Sequence, residues 1–244
     1  MDKCQSVNTL INMNLQPVNY NLPPKLKVCG LTKPDQIQEL ISMKADFLGF
    51  IFYEKSPRYV LDRLSLEEIL KIGHPGKTGV FVNEGIEKIT DITEKAGLKF
   101  IQLHGDESED FLIELKQKLQ PDVTLIKVIR IGNNDDETRE KIKCTLNSYR
   151  SLVNYFLFDT DGKAFGGTGK QFDWTLLNEF KIPLPYFLSG GISEENIDNI
   201  CLLNQQPFAI DINSKFELKP GDKDLEKIKK FISKESQRDD LTKN

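Results

Sequence analysis

Four residues of this 244-residue chain could together move protons: Cys29, His104, Asp159 and Asp211. Each ends or closely follows a short apolar run whose side chains alternate. In residues 26–29, Leu26 and Val28 share one face and leave Lys27 and Cys29 on the other. In 99–103, Ile101 and Leu103 leave Gln102 and then His104; in 155–159, Phe156 and Phe158 leave Asp159. In 208–212, Phe208, Ile210 and Ile212 are expected to face outward, leaving Ala209, Asp211 and Asn213 on the polar side. A period of two is the strand signature, and polar residues in register with it point to a shared interior. A thiol and a carboxyl group can serve as base and acid if their pKa values are tuned. A free thiol titrates near ~8.5 and needs lowering, for which Lys27 is the candidate. A carboxylic acid needs the opposite shift, from burial or from a like charge such as Asp211.

The elements that must bring these groups together are legible in the rest of the pattern. Strand-like runs fall at residues 26–29, 46–52, 78–82, 99–103, 123–131, 155–159, 186–189 and 208–212. Helix-like stretches fall between and after them, at 34–43, 66–72, 86–96, 109–119, 135–149, 174–180, 194–203 and 224–234. Thr32, Ser65 with Glu68, and Ser193 sit where helix caps belong, and Gly97 where a helix should stop. Eight strand–helix units in roughly 210 residues predict a single (β/α)8 TIM barrel, whose active site lies at the C-terminal ends of its strands. A doubly wound open sheet would carry a glycine fingerprint after the first strand, and Gly30-Leu31-Thr32 is not one. The barrel is expected to span 25–232, behind a polar, flexible extension at 1–24 and before a frayed polar tail at 233–244. The lysine-rich run 223–234 reads as a solvated helix face with Leu225, Ile228 and Ile232 turned inward, and Trp174 as packing at the start of the sixth helix.

Several function classes drop out. With Lys+Arg 33 against Asp+Glu 37, no basic face is expected for nucleic acid. No apolar run approaches the ~18 residues of a membrane span. Two histidines, His74 and His104, leave little for a metal site. Cys4, Cys29, Cys144 and Cys201 form no C-x-x-C pair, which fits a reducing cytoplasm.

The late loops are rich in glycine: Gly166-Gly167-Thr168-Gly169 after the sixth strand, and Ser189-Gly190-Gly191 at the end of the seventh. Barrels commonly hold phosphate there with backbone N–H groups and a short helix after strand eight. Gly166, Gly167, Thr168, Gly190, Gly191, Asn213 and Ser214 are therefore the candidate phosphate ligands.

Taken in order, the motifs resemble the phosphoribosylanthranilate isomerase family. They are Lys27-Val28-Cys29-Gly30-Leu31-Thr32, Gly49-Phe50-Ile51-Phe52 leading to Ser56-Pro57-Arg58-Tyr59-Val60, Gly79-Val80-Phe81-Val82-Asn83 and Gln102-Leu103-His104-Gly105. They continue with Phe158-Asp159-Thr160, the two glycine loops with Ile192, and Asp211-Ile212-Asn213-Ser214. The resemblance implies the Amadori rearrangement of N-(5-phosphoribosyl)anthranilate to 1-(2-carboxyphenylamino)-1-deoxyribulose 5-phosphate in tryptophan biosynthesis, without a cofactor or metal. It implies Cys29 as general base, Asp159 as general acid and Arg58 as the anchor of the anthranilate carboxylate. Gln102, His104 and Asp211 are further candidates for substrate contact, His104 reading equally well as a structural hydrogen-bonding residue. Where family members read D-V-S-S-G-V-E, this chain has Asp211-Ile212-Asn213-Ser214-Lys215-Phe216-Glu217, so Lys215 replaces a glycine. The partner implied is a small phosphorylated substrate, with the protein a monomer or homodimer. An indole-glycerol-phosphate synthase would need a lysine/glutamate catalytic set, and a non-enzymatic barrel would have no reason to gather a base, an acid and a carboxylate anchor.

Overall fold

Eight short, mainly apolar runs need a structure that covers both faces of each strand, and a closed parallel barrel ringed by helices supplies it. The computed structural model describes residues 23–161 and 171–241. Its strands are β1 Lys25–Val28, β2 Phe47–Ile51, β3 Lys77–Phe81, β4 Phe100–Leu103, β5 Thr124–Ile131, β6 Tyr155–Thr160, β7 Tyr186–Leu188 and β8 Ala209–Ile212. They pair in chain order, and β8 closes on β1 with Lys27 opposite Asp211 and Val28 opposite Ile212. The α-helices are α1 Pro34–Ser42, α2 Leu66–Leu70, α3 Ile86–Ala96, α4 Glu109–Lys118, α5 Asp136–Tyr149 and α6 Leu225–Leu241. A small antiparallel hairpin, β9 Glu217–Lys219 and β10 Asp222–Lys223, follows the barrel strands.

Two cores result. Outward residues such as Val28, Ile101, Leu103, Phe156 and Phe158 pack against helix residues including Ile37, Ile89 and Leu112. Inside the barrel, Phe47, Ile126, Val128, Leu157, Phe187 and Ala209 form a separate plug. Phe47 meets Phe100 and Phe187 edge-on, each at 5.1 Å between centroids. Because aromatics fill the lower interior, only the upper, C-terminal half is left for polar groups. Phe208 belongs to the plug and does not face outward as expected. It lies 4.9 Å from Tyr155 and 5.7 Å from Phe187, because β8 begins only at Ala209 and strand alternation does not govern the residue before it.

Local signals account for most helix ends. Ser65 and Glu68 form a reciprocal capping box, and Gly97 ends α3 with φ 61°. Thr32 is not a cap: Lys33 precedes α1, and the Thr32 hydroxyl donates to the Gly221 carbonyl at 2.7 Å, tying α1 to the β9–β10 turn. Lys77, whose side chain points toward the helices, donates to Ile69 O and Ala96 O at 3.0 Å each and closes the ends of two helices.

Stretches six and seven are 3-10 helices, Trp174–Glu179 and Ile197–Leu202. The Asp173 carboxylate accepts from the Thr175 N–H at the start of the first, a local bond that competes with helix extension, and Asn178 donates to Leu202 O to tie the two together. Trp174 is buried at the first position, as expected. Ser193 closes a turn with Glu195 and Asn196, upstream of the helix it was expected to cap. The last helix runs from Leu225 to Leu241, and its many Lys and Glu residues are good helix formers. Lys223 is not solvated: it lies in β10 at 1% exposure. Residues 1–22 and the glycine loop with Gly166, Gly167 and Thr168 lie outside the described residues.

Candidate active site

The upper interior collects the polar residues that alternation placed there. Lys27 is wholly buried and donates from Nζ to Asp211 Oδ2 at 2.8 Å. The other oxygen, Asp211 Oδ1, is buried with no partner among the described residues. Cys29 follows β1 immediately, and its room comes from Gly49 on β2. A Cβ at Gly49 would stand 2.8 Å from Cys29 Sγ. Burial pushes the Cys29 thiol above its usual pKa, although Lys27 and Lys223 both pull it down. The expected lowering by Lys27 is therefore outweighed, because removing the thiolate from water costs more than the two ammonium groups return.

Asp159, on β6, has its Oδ1 bonded by the Thr160 N–H at 2.8 Å and its Oδ2 3.4 Å from His104 Nε2. Burial and then the like charge of Asp211 raise its pKa to about 7. That is the direction an acid at neutral pH requires. Gly190 permits this arrangement, since a Cβ there would reach 2.5 Å from Thr160 Oγ1 and 3.3 Å from Asp159 Oδ1. His104 is held neutral, its pKa lowered to about 3 by burial and by the cations Arg130, Lys27 and Lys127. Its Nδ1 stands 3.2 Å from Gln102 Nε2.

Arg58, in the loop after β2, is 6% exposed, and its guanidinium grips Glu217 through Nε at 2.9 Å and Nη2 at 2.7 Å. Glu217 also accepts from Lys223 Nζ at 2.8 Å and Gly221 N at 3.0 Å, and Lys223 reaches Asn213 Oδ1 at 2.9 Å. Sequence reasoning missed Glu217 and Lys223 as site residues. Glu217 was detectable as the closing glutamate of the D-x-x-S-x-x-E pattern; Lys223 had no local signal. Also missed was the frame beneath His104. Lys127 donates to Glu107 Oε2 at 2.8 Å and Gly105 O at 2.9 Å, while Glu107 Oε1 accepts from the N–H groups of Asn83 and Gly105.

Gly190 and Gly191 adopt φ of 85° and 75°. Such consecutive positive values are accessible mainly to glycine. Asn213 and Ser214 begin a short 3-10 turn, Ser214–Phe216, next to Arg58: a Cβ at Gly30 would touch Arg58 Cδ at 2.6 Å and Asn213 Oδ1 at 2.9 Å. Lys215 is exposed, and its carbonyl accepts from Lys227 Nζ at 2.7 Å. The site thus offers a buried thiol, a carboxyl group poised near neutrality and a buried arginine, all on one barrel rim.

The family model for N-(5'-phosphoribosyl)anthranilate (PRA) isomerase matches residues 26–234. The chain belongs to this family. A PRA isomerase from Parabacteroides distasonis is 40% identical over 213 residues, covering 85% of this chain and 91% of the relative. Among solved structures, monomers generated from a dimeric phosphoribosylanthranilate isomerase of Thermotoga maritima match at TM-score 0.69 and 30% identity, covering 87% of this chain and 98% of that one. A second PRA isomerase, in complex with reduced 1-(o-carboxyphenylamino)-1-deoxyribulose 5-phosphate, matches at TM-score 0.70 and 31% identity, covering 88% and 99%. As a member of this family the chain is an enzyme of tryptophan biosynthesis, an intramolecular oxidoreductase of the aldose–ketose type. Among the described residues no helix is long and apolar enough to cross a membrane.

Proposed function

We propose that Asp159 is the general acid and Cys29 the general base of the Amadori rearrangement. Protonated Asp159 gives its proton to the furanose ring oxygen, the C1′–O bond breaks, and the anilino nitrogen supplies the electron pair that forms the iminium. Cys29 thiolate then takes the C2′ proton, the electrons move to form the enolamine, and tautomerisation gives the ketone. The observation that carries this reading is the opposed placement of the two groups. Cys29 follows β1 and Asp159 ends the inward set of β6, strands well apart around the barrel, so a substrate between them meets acid and base on different sides.

Arg58 holds the anthranilate carboxylate, with Glu217 fixing the orientation of its guanidinium. The unpartnered Asp211 Oδ1 accepts a ribose hydroxyl. The 5′-phosphate is bound by N–H groups of Gly190, Gly191 and Ser214 with the Asn213 side chain, joined by Gly166, Gly167 and Thr168. The solved relative holding a reduced product analogue supports a phosphorylated ligand of this shape.

Fluorescent substrate generated in situ tests the assignment. Cys29→Ala and Asp159→Ala should each cut kcat by roughly a thousandfold with the fold intact; full turnover in both would overturn it. The dimeric relative supports a homodimer for this chain, so light scattering should give twice the 27.9 kDa chain mass. A single chain mass would contradict that. A base that must remain a free thiol supports a cytoplasmic location, checked by fractionation.

A further inference from the structure

Gln102, His104 and Asp159 make a chain of polar contacts from β4 to β6 inside the barrel. We propose that Gln102 and His104 are positioning residues for the acid: Gln102 fixes His104 as its Nε2–H tautomer, and that N–H holds one lone pair of Asp159 Oδ2, so the acidic proton occupies the side facing the substrate. The proposal rests on the reading of Asp159 as the acid.

Three observations carry it. Asp159 Oδ1 is committed to the Thr160 N–H, which leaves Oδ2 to carry the proton. His104 Nε2 approaches that oxygen at 3.4 Å, a separation of the kind that tightens when substrate closes a site. Gln102 is 2% exposed and cannot turn to solvent. Its Nε2 faces His104 Nδ1 at 3.2 Å, while its Oε1 is buried without a partner. Reversing the amide would pair Oε1 with an Nδ1–H, but it would leave bare Nε2 facing Asp159. A carboxylate would then meet a lone pair, and a carboxylic acid would aim its proton at His104, away from the furanose oxygen. The orphaned Oε1 is the cost of the orientation that keeps the proton toward the substrate.

The charges around the chain act in the same sense. Burial first, and then Arg130, Lys27 and Lys127, keep the imidazole neutral, so it has one proton to place. Asp159 faces Asp211 and Lys27, with the Ser189 side chain also bonding to it. His74, the other histidine, contacts Ala45 O through Nε2 and lies outside this chain of contacts.

Long-range 1H–15N spectra read the tautomer directly, with the His104 signals identified by their loss in His104→Gln. The expected result is protonated Nε2 and bare Nδ1 in the wild type, and a tautomer mixture in Gln102→Leu. Kinetically, His104→Leu should lower kcat by roughly ten- to a hundredfold while KM changes little, and move the pH limb of Asp159 upward. His104→Gln, which keeps an N–H near the Nε2 position, should recover most of kcat. An Nδ1–H tautomer, or wild-type kcat in His104→Leu beside an inactive Asp159→Asn, would overturn the positioning role alone. Full turnover in Asp159→Asn would remove the acid and this role with it.

Discussion

Lys27 Nζ on β1 lies 2.8 Å from Asp211 Oδ2 on β8, in register across the seam that closes the barrel. The pair is buried beneath the catalytic rim. Asp211 offsets part of the pull that Lys27 exerts on the Cys29 thiolate, but it is burial that outweighs that pull and leaves the thiol above its usual value.

The pH dependence follows, with an inverted assignment. The working form needs Asp159 protonated and Cys29 ionised, yet Asp159 titrates at about 7 and Cys29 above the usual thiol value. The active pair is therefore the minor tautomer of the singly protonated site. kcat/KM should rise as the first proton leaves near 7 and fall as Cys29 loses the second. Lys223→Met removes a cation that pulls on Cys29 alone of the two, so the alkaline limb should move up while the acid limb stays. Profiles from about pH 5 to about pH 10 check this, and a moved acid limb with a fixed alkaline one would contradict it.

The raised pKa of Asp159 also has a stability consequence. An unfolded aspartate titrates near ~3.9 and the folded one at about 7. The favourable contribution of the protonated group is complete below the unfolded value and is lost as pH rises through the folded one. Asp159→Asn escapes that loss. It should be more stable than wild type by about 2 kcal/mol at pH ~8, with the gap closing toward pH ~4. Urea melts at both ends measure it, and a pH-independent gap would count against the shift.

Glu217→Gln tests the support of Arg58. Two buried cations, Arg58 and Lys223, lose the carboxylate that both contact. KM should rise by about tenfold, with a smaller change in kcat and a stability loss of about 2 kcal/mol. An unchanged KM would show that Arg58 needs no such partner.

Lys77→Met separates fold from chemistry. Removing the ammonium takes a donor from the Ile69, Leu70 and Ala96 carbonyls at the ends of two helices, of which Ile69 keeps the Ile72 N–H. Stability should fall by about 2 kcal/mol with kcat retained; calorimetry beside the turnover assay checks both.

The barrel was legible in the sequence because eight short apolar runs take turns with amphipathic stretches, and period-two alternation in four of those runs placed Lys27, Cys29, Gln102, His104, Asp159 and Asp211 on the interior. Phe208 was misread because it lies one residue outside β8, where a bottom aromatic layer captured it. Lys223 was misread because a lysine-rich run looks solvated unless a distant carboxylate, Glu217, is known to wait for it. The thiol's shift was missed for a similar reason. A sequence shows the nearby cation but not the depth of burial that outweighs it.

The most direct test of the acid and base roles is single-turnover kinetics with substrate deuterated at C2′. Cys29→Ser should be slowed by roughly a thousandfold and show a full primary isotope effect, since proton removal then limits the rate. Asp159→Asn should be slowed comparably but show none, because it stalls at ring opening. Equal isotope effects in the two variants, or a wild-type rate in Cys29→Ser, would contradict the account.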